Sequence, residues 1–165
     1  MKKVSFRVVI QLVLASILLL FSTGAAWYEG SALLEHSWEW KHTAIFSGIV
    51  NGQVENTSDI LPIDYFLYAA KFAPLFPLLM LLSGTYLIIL MGYISLKSNY
   101  TGFTYYLTSI GVLFLVLSGF VSNSPTSGLE IIFASLLFIG ILFLVIALVR
   151  LYRVKLRIPL NPLRR

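Results

Sequence analysis

The chain contains no cysteine, and only 12% of its 165 residues are charged. The first absence excludes disulfides, thiolate zinc sites, iron–sulfur clusters and covalently attached haem. The second excludes a water-soluble domain, in which about a quarter of residues carry charge. Acids number only seven, and the interiors of the four long apolar runs hold no Asp, Glu, Lys, Arg or His. Proton relays, ion-coupled transport and voltage sensing place ionisable groups inside the membrane, where only function justifies their cost, so these classes are disfavoured. No nucleophile elbow, phosphate-cradling glycine loop or kinase-like set is present, and no cofactor is expected.

What is present is apolar: 58% of the residues are hydrophobic, and the mean hydropathy is +0.88. Four runs stand out, at residues 6–26, 72–96, 103–121 and 129–149. Each has roughly 20 residues, enough to cross a hydrocarbon layer of about 30 Å at about 1.5 Å per residue. The expected fold is all-α and integral to the membrane: one domain over 1–165, a four-helix transmembrane bundle with an outer loop at 27–71 and a basic tail at 150–165. Ser83, Gly84, Gly92, Gly111, Ser118, Gly119, Ala134, Ser135 and Gly140 are small residues suited to close helix approach. Gln11, the strongest amide in the spans, is expected to bond a neighbouring helix.

Charge placement sets the expected orientation. Ten of the 12 basic residues fall in the N-terminus, the connection at Lys97 and the tail, whereas all seven acids fall in the first and third connections. By the positive-inside rule both termini are cytoplasmic, in a plasma membrane, and the sequence pI of 9.6 reports topology rather than nucleic-acid binding. Arg150, Arg153, Lys155 and Arg157 are candidates for contact with lipid headgroups. Met1-Lys2-Lys3, an apolar run and Thr23-Gly24-Ala25-Ala26 resemble a secretory signal. The run from Val8 to Ala26 exceeds the 7–15 residues of a signal's apolar region, so the first span reads as a retained anchor.

The outer loop holds most of the polar chemistry. Trp27 and Tyr28 close the first span, and residues 31–42 suit a short interfacial helix with Ser31 as its cap. Glu35, Glu39 and His42 then share one face as weak metal-ligand candidates, although the spacing matches no established zinc motif and a solvated helix face gives the same pattern. Trp27, Tyr28, Trp38 and Trp40 are candidate partner-binding residues. Asn51-Gly52 between β-prone residues predicts a small β-hairpin, and Asp64 is expected to cap the helix carrying Tyr65, Phe66 and Tyr68. Asn56-Thr57-Ser58 fits a glycosylation acceptor. Pro74 and Pro77 predict a bend or late start in the second span, and Ser127 to Glu130 has capping-box spacing.

Trp27-Tyr28-Glu29-Gly30-Ser31, Trp38-Glu39-Trp40-Lys41 and the stretch from Asp64 to Pro77 resemble the YjdJ-like family of small uncharacterised membrane proteins from Gram-positive spore-forming bacteria. The likeness covers about the first half of the chain and implies a bacterial plasma membrane and an outward loop, but no activity. Claudin-like four-helix proteins offer a looser fold analogy, without their disulfide pair. The function expected is that of a non-catalytic accessory, regulatory or envelope-associated protein, acting on a membrane-protein partner or on another copy of itself. An oligomeric pore, drawing on Gln11, Thr85, Thr108 and Ser118, is the alternative; an outward-facing metal-dependent enzyme ranks third.

Overall fold

The computed structural model describes residues 5–157, with side chains as far as Arg153. These residues form seven α-helices: α1 (Phe6–Gly30), α2 (Trp40–Thr43), α3 (Ile45–Asn51), α4 (Pro62–Phe72), α5 (Leu75–Leu96), α6 (Tyr100–Val121) and α7 (Ser127–Arg157). Helices α1, α5, α6 and α7 are long and apolar enough to cross a membrane. The other three, with short 3₁₀ turns at Ser31–Glu35, Ser37–Glu39 and Thr57–Asp59, form a module of residues 31–72 at one end of the spans.

Two parts of the expected fold are corrected. No β-strand occurs among the described residues, so the hairpin at Asn51-Gly52 is absent. The residues around it form α3, and Gly52 ends that helix with a φ of 81°, a conformation that side chains disfavour. The same Asn-Gly pair that turns a hairpin also stops a helix. The plain four-helix bundle gives way to seven helices whose most extensive pairings are α6 with α7 and α1 with α5, with α5 meeting α6 less extensively.

Local chemistry explains most boundaries. The Asn99 side chain accepts from the Gly102 amide at 2.8 Å and starts α6. The chain breaks between α4 and α5 at Ala73-Pro74, and Pro77 sits in the first turn of α5, where its missing donor would be unpaired anyway. Helix α7 begins differently from the capping-box reading. Ser127 is already its first helical residue, and the Glu130 amide bonds the Thr126 carbonyl at 3.1 Å.

Phe114, Leu136, Ile139 and Phe143 form the buried core between α6 and α7, flanked by Leu81 and Ile89 of α5. Gly111 and Gly140 bring those two backbones together: a Cβ at Gly111 would lie 3.1 Å from the Gly140 carbonyl oxygen. Ser118 and Thr108 bond carbonyls of their own helix, and Gln11 is exposed on α1.

Helix α4 packs against α1, α5 and α7 at the module end. Gly30 closes α1 against the Tyr65 backbone, and Gly128 at the start of α7 meets the carbonyls of Ala70 and Lys71. A side chain at either glycine would occupy the position of a carbonyl group. Helix α4 thereby ties α1, α5 and α7 together and fixes where the module sits.

Candidate functional site

The module is organised by polar groups turned inward. Asp64, in the first turn of α4 behind Pro62, is fully buried. It does not cap its own helix, as its position suggested. Its carboxylate reaches the start of α3, accepting from the amides of Phe46 at 3.0 Å and Ser47 at 2.8 Å, and from the Ser47 hydroxyl at 2.5 Å. The Ser47 oxygen in turn accepts from the Leu61 amide at 2.8 Å. This distant carboxylate caps helix α3, whose N-cap position holds Ala44, a residue without a side-chain acceptor. Charge-assisted bonds from two amides and a hydroxyl satisfy the buried oxygens that would otherwise be costly.

A second polar chain lies between α2 and α4. The Thr43 hydroxyl donates to Glu39 Oε2 at 2.7 Å and accepts from Lys71 Nζ at 2.9 Å, while the same ammonium donates to the His42 carbonyl at 2.8 Å. Burial pushes the Lys71 pKa down, and the negative Glu39 acts the other way. Burial also raises the Tyr68 pKa, with Glu39 and Glu35 adding to the effect. His36 Nδ1 lies 2.7 Å from the Ala32 carbonyl, an acceptor only, so this nitrogen carries the proton. Its ring stacks on Tyr68 with centroids 5.9 Å apart.

These networks separate the candidate metal ligands. The 31–42 segment is not one helix but two 3₁₀ turns and α2, broken at His36, so Glu35, Glu39 and His42 do not share a face. Glu39 is buried on Thr43, Glu35 and His42 are exposed, and no cluster of three potential ligands occurs among the described residues.

The aromatic candidates divide. Trp40 is anchored inside by its indole nitrogen, which donates to the Leu33 carbonyl at 2.8 Å. Trp27, Tyr28 and Trp38 are exposed. Among the basic candidates, Arg150 stacks on Tyr100 and Arg153 is exposed, whereas the side chains of Lys155 and Arg157 lie outside the described residues.

Sequence reasoning missed the surface of α3. Its inward face holds the fully buried Ser47, next to the buried N-cap residue Ala44, whereas Ile45, Phe46, Ile49 and Val50 are 53%, 44%, 76% and 68% exposed. The usual arrangement is reversed, with hydroxyl inside and aliphatic groups outside. A cue was available: an uncharged apolar heptapeptide, Ile45 to Asn51, preceded by no capping residue.

Residues 9–96, from α1 to the end of α5, match the family model DUF4306, a domain of unknown function. The chain is also similar to the uncharacterized protein YjdJ of Bacillus subtilis (strain 168), with 34% identity over 82 residues, covering 48% of this chain and 75% of that protein. No solved structure matches. The matched part is the module with the two spans that flank it, while α6 and α7 lie beyond it. The chain is therefore a member of the DUF4306 family, to which its first half belongs.

Proposed function

We propose that this is a non-catalytic plasma-membrane protein with cytoplasmic termini, whose module faces outward and binds an apolar surface on a membrane-protein partner or another copy through α3. The observation that carries the reading is the reversed face of that helix. Four large apolar side chains project from seven residues without a charge among them, while a buried carboxylate holds the helix in place. Exposed apolar patches of this kind, rimmed by polar groups, mark interaction surfaces. A groove lined by Trp40, Lys41, Ala44, Gly48, Gln53 and Glu55 runs along another side of the same helix. The buried carboxylates of the module, Glu39 and Asp64, are occupied in structural hydrogen bonds, which favours recognition over catalysis. The excess of basic residues at the opposite end supports the outward orientation.

The test is purification of the tagged chain from its native membrane in mild detergent, comparing the parent with the double variant Ile49→Ser, Val50→Ser. Both side chains are well exposed, so the variant should fold and insert normally. A companion protein, or a second copy, should accompany the parent stoichiometrically and fall by about tenfold or more with the variant, since each buried aliphatic group contributes about 1.5 kcal/mol or more to association. A parent that emerges alone, or a variant that keeps the same companion, contradicts the proposal.

A further inference from the structure

At the end of the spans opposite the module, Arg150 of α7 is held against α6. Its guanidinium carbon sits 3.9 Å from the Tyr100 ring centroid and 5.0 Å from that of Phe103. Its Nε donates to the buried Thr104 hydroxyl at 3.3 Å, and the Tyr100 hydroxyl donates to the Arg150 carbonyl at 3.2 Å. These contacts fix the side chain but do not neutralise it. All seven side-chain carboxylates of the sequence belong to the first and third connections. On α7 itself the acid is Glu130, about 30 Å from Arg150 at about 1.5 Å per residue. A positioned cation with no side-chain counterion at its own end of the molecule invites an anion from outside the chain.

The surroundings narrow the choice of anion. A cleft lies beside Arg150, lined by Tyr100, Val145, Ile146, Val149, Arg150 and Arg153. The α7 residues recur at spacings of three and four, one stripe of the helix, with the two arginines toward its end and the aliphatic side chains deeper along the span. From Arg153 to Val145 the stripe runs about 12 Å. A soluble phosphate would use only the basic end, whereas a phospholipid matches both the charge and the apolar length beneath it.

We propose that this cleft between α6 and α7 binds an anionic phospholipid, its phosphate at Arg150 and Arg153 and an acyl chain along Val149, Ile146 and Val145. The site would anchor the two spans that lie outside the matched family region to the leaflet at that end.

The full-length chain, purified in neutral detergent, is titrated with palmitoyl-oleoyl phosphatidylglycerol, with phosphatidylcholine carrying the same chains, and with inorganic phosphate. Native mass spectrometry reads retained lipid. Phosphatidylglycerol should bind at least about tenfold tighter than phosphatidylcholine. Arg153→Gln should reduce that affinity about fivefold, and Arg150→Gln with Arg153→Gln about thirtyfold. Arg153 is exposed, so its variant reports on binding without disturbing the stacked Arg150. Lys97→Gln, which removes an exposed cation at the same end but outside the cleft lining, should change it less than about twofold. Equal affinity for both lipids overturns the proposal, as does unchanged binding in Arg153→Gln. An equal loss from Lys97→Gln would also overturn it, by showing general attraction in place of a cleft. Inorganic phosphate that displaces the lipid at equal concentration would overturn it as well, by showing an anion site without a lipid chain.

Discussion

Replacing Asp64 with Ala should destabilise the module by about 3–5 kcal/mol and release α3 from α4. The carboxylate accepts from the Phe46 and Ser47 amides and the Ser47 hydroxyl, in surroundings from which Asp64 and Ser47 are closed to solvent. Each donor stranded without a partner costs about 1–3 kcal/mol, less what water recovers when the site opens. Asn at the same position keeps one acceptor but turns an amide NH₂ toward another donor, so about 2–3 kcal/mol should still be lost. Ser47→Ala removes one bond to Asp64 and the acceptor of the Leu61 amide, and should cost about 1–2 kcal/mol. Thermal unfolding in detergent, with limited proteolysis between residues 44 and 62, measures both stability and locality. An unchanged unfolding temperature and cleavage pattern in Asp64→Ala would show that the buried carboxylate is not the centre of the module.

Valine at Gly30 or at Gly128 should have an effect of similar size, by a different route. At Gly30 the new Cβ falls on the Tyr65 carbonyl, and at Gly128 on the carbonyls of Ala70 and Lys71, so in each case backbone has to move. Overpacking against backbone costs typically about 1–3 kcal/mol, with values at or above the upper end expected here because no side-chain rotation relieves it. Both substitutions act on α4, one at Tyr65 and the other at Ala70 and Lys71. Gly24 and Gly119 face open space where a Cβ would project, so Ala there should be neutral or raise stability by up to about 1 kcal/mol. Unfolding temperatures of the four variants separate close packing from helix propensity. Equal small shifts at all four positions would remove α4 from its role as the tie between spans.

The spans were legible because their signal is local and long. An uninterrupted apolar run of about 20 residues has few alternatives, and the prolines at 74 and 77 mark the break where α4 gives way to α5. The module was less legible because its helices are decided at a distance. Residues 45–54 favour β structure taken alone, but the Asp64 carboxylate supplies the donors' acceptor for α3 from 17 and 18 positions away. Tertiary context overrides a weak local preference in this way. The supposed single helix over 31–42 failed at His36, whose φ of −111° and ψ of 69° interrupt it. Beyond that break Glu39 turns inward to Thr43, and the face assumed for metal binding is not formed. Trp40 illustrates the same limit: its composition marks it as an interface residue, yet its indole N–H is held by the Leu33 carbonyl.

The outward position of the module is the premise of the proposed function, and the absence of cysteine makes it directly measurable. Ser58, in the module, and Ser98, in the turn between α5 and α6, are both exposed, so single cysteines can replace them without disturbing packing. Intact cells are treated with a membrane-impermeant maleimide, then permeabilised and treated again. With the module outside, Ser58→Cys is labelled on intact cells and Ser98→Cys only after permeabilisation. Labelling of Ser98→Cys on intact cells, with Ser58→Cys protected until permeabilisation, would place the module inside and contradict the proposed function.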